Sequence, residues 1–338
     1  MTKKSSAYEQ AGVRLESNEQ TIDLIKEAVK STYNSNVLEG IGAFGGLYEF
    51  TQVETHKQPV LVSSTDSIGT KTKLASRMNH YQTVGFDIVN HCTNDILVQG
   101  AKPLFFLDYL AASRLEPELS AEIVTSVASA CKDVGAVLIG GELAEMPGVY
   151  LEDEFDLVGT IVGLVDKGNV VTGESIAAGD KVMALMSGGL QTNGFSLARK
   201  VMEPFLEDDF AGHTVGLELL TPHRHYLHPV TKLLEVGLIK GMAHITGGGI
   251  PGNLPRILPE GLGAKITKAC WPMPEIFKLI ETKGQLDEDE MYHVFNMGAG
   301  FLIVVDEHSA VDVQQFAGEE VYEIGEIMPG NGVSLVQS

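Results

Sequence analysis

Between residues 21 and 33 the apolar positions fall at Ile22, Ile25, Ala28 and Val29, the three-and-four spacing of a helix with one buried face. Residues 59–65 (PVLVSST) form a short apolar, β-branched run, which predicts a strand. The alternation continues with a helix over 83–101, a strand over 103–112, a helix over 117–135 closed by Gly135, and strands over 136–143 and 155–166. Residues 168–180 (GNVVTGESIAAGD) then turn polar and glycine-rich, which marks a boundary. Beyond it strands are predicted in 181–188, 242–246, 263–268 and 300–306, and helices in 194–205, 228–237 and 274–282. The pattern describes two αβ domains, residues 1–168 and 169–338, in an α+β fold. The acidic run DEDE at 287–290 reads as a solvated turn.

Charge narrows the possible partners. The 338 residues carry 24 Lys plus Arg against 45 Asp plus Glu, a net charge of −21, which repels nucleic-acid backbones and anionic membrane surfaces. An anionic small molecule must therefore be held locally, by a few cationic side chains and amides together with a divalent cation. The three cysteines, Cys92, Cys131 and Cys270, are too scattered for a disulfide framework or a CxxC metal site, which suits a reducing compartment. With no apolar signal core in MTKKSSAYEQAGV and no apolar run near the roughly 18 residues of a membrane span, a soluble cytoplasmic protein is expected.

The chemistry concentrates at a few loops. Residues 65–71 (TDSIGTK) look like a misspelt phosphate loop: Thr70 separates Gly69 from Lys71, and Asp66 stands where a carboxylate would repel phosphate without a cation between them. A formal GxGxxG at Gly40, Gly42 and Gly45 follows a helix rather than a strand, which argues against a dinucleotide fold and leaves a hinge or a glycine-rich lid. The helix after the loop carries Asp87, His91 and Asp95 four residues apart on one face, with Asn94 beside the last and apolar residues around them. Magnesium would be a suitable partner for these carboxylates, while His91 reads as incidental. Gly141-Glu142 ends a strand at a glycine turn. His244 and Thr246 precede Gly247, Gly248 and Gly249 and a helix start, an anion-binding arrangement with an acid-base candidate beside it. HRHYLH (223–228) invites a zinc proposal, but no cysteine or carboxylate sits at ligand spacing.

Taken in order, TDSIGTK, TNDILVQGAKPLFFLDYLA, GGELAEMPG, TNGFSLARK and HITGGGIPGNLPRILP resemble the phosphoribosylformylglycinamidine cyclo-ligases, the AIR synthetases of purine biosynthesis, from YEQAGV to about GFLIVV. The resemblance implies ATP-dependent closure of the imidazole ring of formylglycinamidine ribonucleotide, yielding aminoimidazole ribonucleotide, ADP and phosphate. It also implies a homodimer whose N-terminal domains pool strands into a barrel. On this reading Asp66, Gly69, Thr70, Lys71, Asp87, Asn94, Asp95, Gly141 and Glu142 bind ATP, with Asp66, Asp95 and Glu142 on magnesium. Lys71 and His244 are the catalytic candidates. Gln191, Asn193, Ser196, Thr246 and Gly247 to Gly249 face the ribonucleotide.

Two positions depart from the family pattern. Ser67 replaces a glycine, and Gln191 replaces a histidine, which leaves no ionisable group at that position. The alternatives are a related ATP-dependent activator of another substrate and an inactive nucleotide-binding regulator.

Overall fold

The computed structural model describes residues 14–51 and 56–337, so the YEQAGV stretch lies outside it. The first half is built on α1 (Leu15–Lys30), β1 (Pro59–Ser67), α2 (Lys71–Met78), α3 (Val84–Leu97), β2 (Lys102–Ala112), α4 (Pro117–Asp133), β3 (Val137–Glu145) and β4 (Phe155–Asp166). Its four strands make one sheet in the order β1-β4-β2-β3. The first two pairings are antiparallel and the β2-β3 pairing is parallel, because α4 crosses between them.

The second half contains β5 (Lys181–Met186), α5 (Phe195–Met202), α6 (Leu227–Glu235), β6 (Ile239–His244), α7 (Gly249–Asn253), β7 (Leu262–Thr267), α8 (Glu275–Gly284), α9 (Glu288–Val294), β8 (Ala299–Val305), α10 (Ala310–Ala317), β9 (Tyr322–Pro329) and β10 (Gly332–Val336). Its sheet has six strands in the order β6-β8-β5-β9-β7-β10. The β8 run AGFLIVV is buried along its whole length, as a central strand must be.

Two expectations fail here for physical reasons. The acidic run is the first turn of α9, with Glu288, Asp289 and Glu290 complementing the positive end of the helix dipole. Strands β9 and β10 were not predicted: most of their residues are exposed or half-exposed and glycine or proline interrupts the apolar positions, and pairing with β5 and β7 makes them strands.

One face of the first sheet packs on α3 and α4, with Ile88, Ile96, Phe106, Val127 and Ile161 in the shared core. Among the described residues no helix covers the opposite face. Leu61 is 60% exposed and Leu107 36% exposed on that side, and Thr65, Thr160 and Leu107 share one row of the register.

The two helices approach closely enough that only glycine fits at the crossing. A Cβ on Gly85 of α3 would lie 2.1 Å from Val127 N and 2.2 Å from Ser126 C of α4. Gly85→Ala is expected to destabilise the protein by about 3 kcal/mol, the upper end of overpacking costs. Urea unfolding measures this, and an unchanged midpoint would mean the helices separate freely.

Candidate active site

Helix α3 carries a polar stripe at helical spacing, Asp87, Asn90, His91, Asn94 and Asp95, and nearly all of it is buried. It faces the backbone of residues 221–226 from the second half. Asn90 Nδ2 donates to His223 O at 2.7 Å, Asn94 Nδ2 donates to Arg224 O at 2.9 Å, and Asn94 Oδ1 accepts from Tyr226 N at 3.0 Å. Asp87 Oδ1 accepts from His223 N at 2.7 Å and from Lys71 Nζ at 2.7 Å. The stripe replaces water for a connecting segment whose amides would otherwise be buried unpaired.

Lys71 completes this joint. Its ammonium also donates to Gln191 O at 2.9 Å and Thr221 O at 2.8 Å, so its three protons are all engaged and its side chain has no exposed surface. Burial pulls the lysine pKa down, against the opposing field of Asp87. Burial likewise pushes the Asp87 carboxyl up to about 6 against the pull of Lys71. Where a contact of Lys71 with phosphate was expected, this structure turns the lysine to Asp87 and two carbonyls, and Asp87 and Asn94 are buried beside it.

Three histidines meet beside the stripe. His91 Nε2 lies 2.9 Å from Asp66 Oδ2, and its Nδ1 lies 2.8 Å from Thr192 Oγ1. His223 Nδ1 is 3.1 Å from the same hydroxyl, and its Nε2 is 3.0 Å from His244 Nε2. The Asn94 amide is oriented by its two backbone partners, which sets its Nδ2 3.1 Å from Nε2 of His223. Burial, followed by the fields of His244 and His91, sets the His223 pKa well below the ordinary value and keeps the ring neutral.

His244 has no ring nitrogen free for a substrate, since Nδ1 meets Asp95 Oδ1 at 2.8 Å. Its pKa is lowered by burial against the pull of Asp95. Its expected acid-base contact is thus corrected to a brace for Asp95. His91, read as incidental, is central.

The groups that do reach solvent lie between the halves. The Asp66 side chain is 43% exposed and that of Asp95 27% exposed, and each offers a ligating oxygen within 4.8 Å of the other and of His91. Burial opposes ionisation of both, but the hydrogen bond from His91 to Asp66 and from His244 to Asp95, with the fields of those rings, holds both carboxyls below their ordinary values. Two ionised carboxylates facing one opening fit a magnesium ion. Thr70 Oγ1 meets Ser196 Oγ at 3.1 Å, and Gly69 is exposed with φ +56°. A Cβ on Gly247 would lie 3.5 Å from Asn193 Oδ1, while Asn193 Nδ2 is buried without a hydrogen-bond partner among the described residues.

Other predicted residues are placed elsewhere. Gln191 is 1% exposed and donates from Nε2 to Tyr226 Oη at 2.8 Å, so it does not face the cleft. Gly249 is pressed against Tyr292 O, and Thr246 is tied to Asn253, which leaves Gly247 as the exposed glycine of its turn. The helix there, Gly249–Asn253, is barely one turn.

Gly141 and Glu142 do not join Asp66 and Asp95. The register runs Asp66–Gly159–Asp108–Gly141, which separates the ends by three strand spacings, about 14 Å. They line a separate cavity of about 580 Å³, walled by Ile22 and Ile25 of α1, the Gly40–Gly46 segment and Asp108. Asp108 was missed, although a lone carboxylate in the apolar run LFFLDYLA was a usable signal. Burial pushes its carboxyl up to about 7.

Both halves match the family described as AIR synthase related protein, the N-terminal domain over residues 49–165 and the C-terminal domain over residues 177–337. The chain is 46% identical to a phosphoribosylformylglycinamidine cyclo-ligase of Alkaliphilus metalliredigens over 96% of each chain, and 47% identical to one of Geobacillus thermodenitrificans over 97% of each. The chain belongs to the phosphoribosylformylglycinamidine cyclo-ligase family. Its fold is shared more widely. Escherichia coli HypE superposes with a TM-score of 0.70 at 18% identity, covering 94% of this chain and 93% of that one. A thiamine-monophosphate kinase from Stenotrophomonas maltophilia gives 0.67 at 18% identity, covering 94% and 96%.

Removing the buried cation separates a positioning lysine from one that touches phosphate. Lys71→Met leaves Asp87 buried and uncompensated, and is expected to lower stability by about 3–5 kcal/mol in chemical denaturation. Wild-type stability with lost turnover would return the lysine to the phosphate.

Proposed function

We propose that the chain uses ATP to close the imidazole ring of formylglycinamidine ribonucleotide, releasing aminoimidazole ribonucleotide, ADP and phosphate. Family membership over nearly the whole length carries this reading. The cleft geometry supports it. Asp66 and Asp95 would hold magnesium, oriented by His91 and His244. When bound, magnesium supplies positive charge to the phosphates of ATP during phosphoryl transfer. Asn193 Nδ2, a buried donor without a partner among the described residues, is available to a ribonucleotide oxygen; Asn193 lies beside Gly247, and Thr70 meets Ser196. The cavity beside Glu142 and Asp108 is of a size that suits a small-molecule ligand.

The departure at Gln191 does not count against turnover. Its side chain packs inward on Tyr226 and replaces a structural hydrogen-bonding group, so no proton transfer depends on it.

Phosphate release on mixing the protein with formylglycinamidine ribonucleotide and ATP tests the activity, and its absence with active controls would reject the reading. In the same assay Asp95→Asn should weaken ATP binding with magnesium far more than without it. The amide keeps one oxygen, which can accept from either Ser64 or His244, but loses the charge that draws a hard cation. Equal weakening under both conditions would assign Asp95 a structural role.

A homodimer closed through the uncovered sheet face is part of this proposal, since Leu61 and Leu107 expose apolar surface there. Light scattering should give twice the chain mass, and Leu107→Glu should shift it toward the single chain. A fully active wild-type monomer would contradict the proposal.

A further inference from the structure

The sequence argued against zinc at residues 223–228 because no carboxylate stands at ligand spacing. The fold brings one there. Asp133, the last residue of α4, places Oδ2 3.0 Å from His225 Nε2 across 92 residues of sequence. His228, at the start of α6, sets its ring against His225 with centroids 5.0 Å apart and planes at 76°. One ligating atom from each of Asp133, His225 and His228 lies within 4.8 Å of the others. The group borders an open groove shared with Phe86 and Pro229, outside the cleft that holds Asp66 and Asp95.

Two features favour a cation over a plain ion pair. The group opens to solvent through exposed Asp133 and His228, so a hydrated ion can reach it. Asp133 also ends a helix of 17 residues, whose terminal carbonyls add partial negative charge.

We propose that Asp133, His225 and His228 form a site for a divalent transition metal such as zinc, with water completing the shell. Two imidazoles and one carboxylate suit zinc rather than magnesium or calcium, which prefer oxygen donors throughout. Ligands of tetrahedral zinc stand about 3.4 Å apart, given bonds of about 2.0–2.2 Å. The Asp133–His225 pair is already near that spacing, and exposed His228 closes the remainder by side-chain rotation. The bound ion ties α4 of the first half to α6 of the second, close to His223 in the segment that α3 braces. It therefore stabilises the domain joint by mass action.

The test is calorimetric titration of the metal-free full-length protein with zinc, with cobalt(II) absorption as a report on geometry. The expected result is one saturable zinc per chain, tetrahedral cobalt bands, and no competition from magnesium. Asp133→Asn and His228→Gln, both exposed and outside the cleft, should each weaken zinc binding by at least about tenfold, about 1.4 kcal/mol. Circular dichroism checks that their fold is kept. The absence of saturable binding to wild type overturns the proposal. So does undiminished binding in either variant, which would place zinc on the inner cluster of His91, His223 and His244.

Discussion

The buried polar stripe of α3 is the constraint on which the rest of the molecule depends. A helix that packs its apolar side on a sheet usually turns its polar side to water. Here that side meets the backbone of residues 221–226, and Lys71, Asp87, Asn90 and Asn94 replace water group for group. All of these contacts except the Lys71–Asp87 pair cross between the halves, so their relative angle is set by hydrogen-bond geometry as well as by apolar contact. Burying a charge pair is costly, and Lys71 tolerates it because its three donors have three acceptors.

This joint also explains the state of the carboxylates. Asp66 and Asp95 are each gripped by one imidazole, and those imidazoles are in turn fixed by Thr192 and His223. The chain of contacts ends on Asn94, whose amide cannot rotate without losing Tyr226 N and Arg224 O. The stripe that holds the domains together thus also sets the orientation of the cleft acids.

Much of the architecture was legible because its signals are local. The strand over 155–166 and the helices around α3 and α4 follow from periodicity and their glycine stops. The placement of Asp66 near Asp95 was implied by the family resemblance, which put both on magnesium. The roles of Lys71, His91 and His223 were not legible, because burial is decided by segments more than a hundred residues away. A lysine after a glycine-containing loop reads as a phosphate ligand until Gln191 and Thr221 bring their carbonyls to it. The weak strands β9 and β10 were hidden for the same reason, since their partners rather than their composition make them strands.

The sheet also separates the acids that the sequence grouped together. Asp66 and Asp108 occupy one register row, with Gly159 between them. The space where Gly159 would carry a side chain is filled by Phe106 and Ile88, so the inner face between the two acids is closed by core packing. No ligand running over that face can join the Asp66–Asp95 opening to the cavity beside Glu142. The described residues of one chain therefore hold two acidic regions divided by its own core, one at Asp66 and Asp95 and one at Asp108 and Glu142.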